Sequence, residues 1–78
     1  MQASELTPSV FGELFIKNRN KFTAIALSYV RNQAVAEDIV SESFTSFWDR
    51  REEIELKSCP ESYILRSVRN NLHSRNNS

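Results

Sequence analysis

The sequence of 78 residues predicts an all-α fold: a compact bundle of three helices, or four if the first one breaks. One Gly and two Pro leave too few sharp turns for a β-sandwich or barrel. Apolar residues recur at helical spacing in three segments. A hydrophobic fraction of 40% with 26% charged residues is typical of a folded domain rather than a disordered chain. The length allows one small domain with a modest core.

The first helix is predicted from Thr7-Pro8 to about residue 30, because Thr is a good N-cap and Pro suits the first turn. Steps of three, four and seven define one apolar face. Its members are Val10, Phe11, Leu14, Phe15, Phe22, Ile25, Ala26, Tyr29 and Val30. Gly12 and the polar run 17–21 weaken this pattern, so a kink or break near residues 18–21 stays open.

Two further helices follow. Asn32 is the predicted N-cap of the second helix, and Cys59-Pro60 marks the start of the third. Residues 51–59 lack helical periodicity and read as a loop. Nine residues of the three helices are expected in the core: Phe15, Phe22, Ile25, Ile39, Phe44, Phe47, Tyr63, Ile64 and Val68.

The zero net charge hides a division along the chain. Residues 36–56 hold seven acidic side chains against two arginines, whereas residues 57–78 hold four basic side chains against one acidic. Such a chain can meet two partners of opposite sign, or the blocks are ordinary solvated helix faces. The single cysteine, Cys59, fits a reducing cytoplasm. No apolar run is long enough to span a bilayer, and no secretory signal is visible.

Residues that could carry catalysis are scarce. His73 is the only histidine and Cys59 the only cysteine, so neither a His pair nor a CxxC motif can hold zinc. A chain with one glycine cannot form a Gly-rich phosphate loop. Glu37, Asp38 and Glu42 belong on a solvated helix face. The sequence therefore predicts a protein that is not an enzyme and has no cofactor or metal.

Two polar faces are the candidates for binding. The acidic ridge of the second helix consists of Asp38, Glu42, Thr45 and Asp49, which share one stripe. The basic stripe of the third helix consists of Arg66, Arg69, Asn70 and His73. The ridge suits a basic protein surface. The stripe suits nucleic acid, because Arg binds phosphate and Asn can pair with a base edge. For each, the alternative is a plain solvated face.

Three ordered blocks resemble a known family. Residues 36–44, AEDIVSESF, followed by Phe47-Trp48, resemble the signature of region 2 in bacterial sigma factors. Residues 62–70, SYILRSVRN, resemble an element of the extracytoplasmic-function group, and residues 11–29 are similar to the helix that precedes them. The resemblance covers residues 8 to 75. It implies a region 2 domain of a transcription initiation factor.

The resemblance also implies two sets of site residues. The positions that would dock on the β′ clamp-helix coiled coil of RNA polymerase are Asp38, Ser41, Glu42 and Trp48. The positions that would meet the non-template strand of the minus-10 promoter element are Arg50, Ile54, Arg66, Ser67, Arg69, Asn70, His73 and Arg75. Among these, Asn70 is expected to line a pocket for a flipped base, with Arg50, Ile54 and Ser67 beside it, at an extrusion cost of a few kcal/mol. The arginines are expected to neutralise the strand backbone.

The family implies further features. A second domain, the helix-turn-helix of region 4, is not in this sequence, so residues 1–78 are expected to be one domain of a longer factor. An anti-sigma protein is an expected partner. Two rival hypotheses remain: a helical interaction module with no DNA contact, and a helix-turn-helix protein that reads duplex DNA.

Overall fold

Three α-helices make up most of the chain. A computed structural model describes residues 1–76, and the side chains of residues 1–74 among them. Within this range a short 3-10 helix, Ala3–Glu5, precedes α1 (Pro8–Val30), α2 (Gln33–Asp49) and α3 (Pro60–Asn76), and there is no β-strand. Each α-helix packs against the other two. The predicted all-α fold is confirmed.

The helices begin where the capping residues predict. The Thr7 hydroxyl accepts a hydrogen bond from the Val10 N–H at 3.2 Å, and the Asn32 side chain accepts one from the Val35 N–H at 3.1 Å. Each bond satisfies an N–H that has no partner inside its helix. α3 begins at Pro60, whose missing N–H costs nothing in a first turn.

α1 is continuous through residues 18–21, so the described chain contains three α-helices and not four. Asn18 explains the continuity. Its side chain is 6% exposed, and its Nδ2 donates to the Leu14 carbonyl at 3.0 Å. Because this polar group is satisfied within the helix, it can be buried at little cost. The polar run of the sequence is therefore not a break.

The turn between α1 and α2 is tight. Arg31 has φ 53°, the left-handed conformation that closes many helices, and its N–H donates to the Leu27 carbonyl at 3.0 Å. Only Arg31 and Asn32 separate the two helices. This short connection folds α2 back against α1, with the acidic ridge facing away from the interior.

The core centres on Phe44. Phe11, Phe15 and Phe22 of α1 surround it, with ring centroids 6.1, 5.1 and 5.8 Å from its own. These are the separations that aromatic pairs prefer. Six of the nine predicted core residues are buried, namely Phe22, Ile39, Phe44, Phe47, Ile64 and Val68. The other three, Phe15, Ile25 and Tyr63, are partly buried and pack against that core.

The apolar face of α1 is shorter than its pattern predicts. Val10 and Tyr29, two members of that face, are 43% and 55% exposed. Both lie in the end turns of α1, which has 23 residues, whereas α2 and α3, which cover it, have 17 each. Phe11 and Val30, their neighbours in the chain, pack against the core, so Val10 and Tyr29 lie at the exposed margin of the apolar face.

One polar link joins α2 to α3. Ser43 is fully buried, its hydroxyl donates to the Ile39 carbonyl at 2.8 Å, and it accepts a hydrogen bond from the Asn71 Nδ2 at 2.9 Å. Since buried polar atoms need partners, this pair favours one register of α3 on α2. The pair thereby favours one position of the acidic ridge on α2 relative to the basic stripe on α3.

Candidate polymerase and promoter surfaces

The acidic ridge lies on the exposed side of α2. Ile39, Val40 and Phe44 bury the opposite side, which leaves Asp38, Glu42, Thr45 and Asp49 in solvent. An open depression of about 580 Å³ runs along the ridge. Its lining residues are Asp38, Ser41, Glu42, Thr45, Ser46, Asp49 and Arg50. Three carboxylates on one rigid helix face suit a basic surface of another protein.

Trp48 lies at the end of the ridge and is partly buried. Its ring stacks on Phe11, with centroids 4.6 Å apart, and the Arg51 guanidinium lies 4.1 Å from its centroid. The Arg51 Nη1 also donates to the Trp48 carbonyl at 2.6 Å. These contacts hold Trp48 against α1 and the following loop, so its ring contributes to packing, and it does not line the depression.

A second concave site lies between the α2–α3 loop (residues 50–59) and the first turns of α3. This loop pocket has a volume of about 320 Å³, at the small end of ligand sites. Its lining residues are Glu55, Leu56, Lys57, Ser58, Ser62, Tyr63 and Arg66. It combines two cations, a carboxylate, two hydroxyls and an aromatic ring, a set that can contact both a phosphate and a base.

Cys59 stands at the start of α3 beside the loop pocket. Its thiol is exposed and lies 3.2 Å from the Ser62 hydroxyl. Hydrogen bonds from the Ser62 side chain, and then from the Ser62 backbone N–H, lower the pKa of the Cys59 thiol below its ordinary value. Both bonds stabilise the thiolate, as expected at the first turn of a helix.

The basic stripe continues from the loop pocket along α3. Arg66, Arg69, Asn70 and His73 are all exposed. Ser67, which the resemblance also indicates, is partly buried. Arg75 lies outside the residues whose side chains the structure describes. Arg66 belongs to both the stripe and the pocket, and this joins the two into one surface.

Two of the predicted DNA-contacting residues lie elsewhere. Arg50 lines the depression of the acidic ridge, and its Nε lies 3.5 Å from the Glu53 carboxylate. The Ile54 side chain is 5% exposed and belongs to the hydrophobic core. The loop pocket has none of Arg50, Ile54, Ser67 and Asn70 among its lining residues, so the base pocket expected around Asn70 stays a prediction.

The sequence reasoning missed Lys57, Ser58 and Ser62 as pocket residues. A signal for them exists. They flank Cys59-Pro60, and a polar segment at the start of a helix places its side chains beside free backbone N–H groups. Tyr63 was predicted in the core, and it does contact Phe47, with ring centroids 5.7 Å apart, while also lining the pocket.

Two further properties bear on function. Among the described side chains, no group of three or more His, Cys, Asp or Glu is placed to hold a metal ion. Within the part of the chain that the structure covers, no helix is both long and apolar enough to cross a membrane.

The chain is thus a small helical domain with one acidic face, on α2, and one basic face, on α3. Residues 14–76 match the model of the sigma-70 region 2 family, and the chain therefore belongs to that family. The predicted region 2 identity is confirmed. Comparisons with curated proteins and with solved structures gave no match. The family consists of non-enzymatic transcription initiation factors, and its role is promoter recognition and RNA polymerase binding.

Proposed function

We propose that this domain docks on the β′ clamp-helix coiled coil of RNA polymerase through the acidic ridge, and that it recognises and helps to open the minus-10 element through the loop pocket and the basic stripe. The observation that carries the proposal is the separation of the two surfaces. The depression of the ridge and the loop pocket share no residue, and they differ in charge. The two surfaces therefore offer separate sets of contact residues for two partners of opposite charge.

Docking on the polymerase is assigned to Asp38, Ser41 and Glu42 in the depression. Trp48, one residue before Asp49, is assigned to the edge of the same contact. Adjacent turns of one helix carry the two carboxylates, so a row of basic side chains on a coiled coil can pair with them. Most of their effect is expected on specificity and association rate rather than on intrinsic affinity, because exposed ion pairs contribute roughly 0–1 kcal/mol each.

The promoter contact is assigned to a single strand rather than to a duplex. The loop pocket can hold one extruded base, and Lys57 and Arg66 at its walls can bind the flanking phosphates. Arg69, Asn70 and His73 extend the path along α3. The extracytoplasmic-function subgroup, a cytoplasmic location and an anti-sigma partner that covers these faces complete the proposal.

The docking test is a titration of the domain with the isolated β′ clamp-helix fragment at low salt. We expect Glu42→Arg to weaken binding about tenfold, since a like-charge contact replaces an ion pair. Glu13→Arg is the matched control: it reverses an exposed charge on α1, away from the ridge. If both reversals weaken binding equally, the ridge is not the docking site.

The promoter test compares labelled single-stranded and duplex oligonucleotides at several salt concentrations. We expect preference for the single strand. Affinity should fall by about 0.7 logarithmic units per phosphate contact for each tenfold rise in salt concentration. Arg66→Glu should weaken binding more than Lys21→Glu, the same kind of reversal on α1. Preference for duplex would support the helix-turn-helix alternative, and no binding to either would support the interaction module.

A further inference from the structure

The first six residues of the chain, the N-terminal arm, lie along the α2–α3 loop. The Leu56 N–H donates to the Met1 carbonyl at 2.7 Å, and the Ala3 N–H donates to the Ile54 carbonyl at 3.0 Å. Gln2 and Glu55 form an antiparallel bridge between these two contacts. The arm therefore pairs with the loop as a short extended segment would, although neither belongs to a strand.

Side chains strengthen this pairing. The Gln2 Nε2 donates to the Glu52 carbonyl at 2.6 Å and to the Arg51 carbonyl at 3.4 Å. Ala3 is fully buried and belongs to the hydrophobic core together with Ile54 and Leu56. The described local backbone hydrogen bonds of the loop lie at its start, where the N–H groups of residues 50, 51 and 53 donate to Ser46, Trp48 and Arg50. The contacts of the arm satisfy backbone groups farther along the loop, at Ile54 and Leu56.

The arm contacts residues that line the loop pocket, and it contacts others that are next to those lining residues in the chain. Leu56 and Glu55 line it directly, and Lys57 and Ser58 follow in the chain. The Met1 amino group also donates to the Leu56 carbonyl at 2.9 Å and lies 3.6 Å from the Glu55 carboxylate. A displacement of the arm must therefore move one wall of the pocket.

We propose that the N-terminal arm is a brace that sets the shape of the loop pocket, and that Gln2 is a positioning residue for base selection. This inference rests on the proposed function for its DNA part. Its structural part, that the arm holds the loop, stands without it. The arm touches no DNA in this scheme and acts through Glu55 and Leu56.

Three variants of the 78-residue chain separate the possibilities. Gln2→Met keeps the length of the side chain and removes the two hydrogen bonds that its Nε2 donates to the loop. Gln2→Lys keeps a donor of similar reach, so its amide exchange and base preference should match those of the wild type. Gln33→Met is the matched control, because Gln33 lies at the far end of α2 and its side chain bonds to Glu37 instead.

The first readout is amide hydrogen exchange followed by NMR. Gln2→Met should speed exchange of the Leu56 amide about fivefold, the equivalent of one lost hydrogen bond, because the second bond, to Arg51, is long at 3.4 Å and contributes little. The amide of Phe44 in the core should stay unchanged. Gln33→Met should leave Leu56 as it is in the wild type. Unchanged exchange at Leu56 in Gln2→Met would overturn the brace, whatever the result with DNA.

The second readout is the base composition of oligonucleotides selected from a random single-stranded pool of roughly 12 nucleotides, within the range of site sizes for single-strand binders. Gln2→Met should reduce the strongest base preference about fivefold, with binding to the clamp-helix fragment unchanged and with recovery in Gln2→Lys. Faster exchange with an unaltered preference would refute the role in base selection. If the wild type selects no sequence, the proposed promoter function fails, and the role of Gln2 in base selection fails with it.

Discussion

The link between Ser43 and Asn71 allows a quantitative test of how the two surfaces are held together. Ser43→Ala removes one hydroxyl and leaves no cavity beyond the volume of that oxygen. The Ile39 carbonyl keeps its helical partner, and Asn71 is partly exposed, so its amide can turn to water. The net loss is one hydrogen bond between helices, about 1 kcal/mol of the free energy of unfolding.

The expected consequence is a lower melting temperature. For a domain of this size, about 1 kcal/mol corresponds to a fall of roughly 4–8 °C. Circular dichroism during heating, with urea unfolding for the free energy, measures both quantities. Ser41→Ala is the matched control, because Ser41 is exposed on the same helix, and it should change stability by less than about 0.5 kcal/mol.

A double-mutant cycle assigns the effect to the pair. Ser43→Ala, Asn71→Ala and the double variant should give a coupling energy of about 0.5–1.5 kcal/mol, in the range for residues in contact. If the two single effects add within about 0.3 kcal/mol, the contact at 2.9 Å contributes nothing to stability and our reasoning about the register of α3 is refuted.

Two further predictions concern helix starts. Asn32→Ala should lower the free energy of unfolding by about 1 kcal/mol, because the Val35 N–H loses its partner; a urea titration that shows no loss would contradict the cap. The Cys59 thiol should react with iodoacetamide with a pH midpoint below that of the urea-unfolded chain, because its lowered pKa leaves more thiolate at a given pH. Ser62→Ala should move that midpoint upward. Equal midpoints in the folded wild type and in folded Ser62→Ala would rule out the Ser62 hydroxyl as the cause of the lowered pKa.

Local chemistry in the sequence was enough to predict the helices. Caps at Thr7 and Asn32, Pro60 in a first turn and the periodic apolar residues gave the three helices and most of the core. Each of these signals acts within one or two turns, so it can be read without knowing the fold. The acidic ridge was predicted for the same reason, since residues three and four apart share a helix face.

Contacts between distant segments could not be predicted in this way. Asn18 belongs to the polar run where the sequence left a kink or break open, yet its bond to Leu14 lets it be buried inside α1. The resemblance placed Ile54 at the DNA, yet its side chain is buried in the core and its carbonyl accepts a hydrogen bond from Ala3 of the arm. That residues 1–78 are one domain of a longer factor stays a prediction.

The helices and their polar faces were thus determined by the order of the residues, because helix capping and amphipathicity are short-range effects. The loop pocket was not. Its walls come from a loop without periodicity and from the first turns of α3, and the arm that pairs with the loop lies some 50 residues away in the chain. Hydrogen bonds across such a separation leave no periodic pattern, since they form only when packing of the helices has brought the segments together.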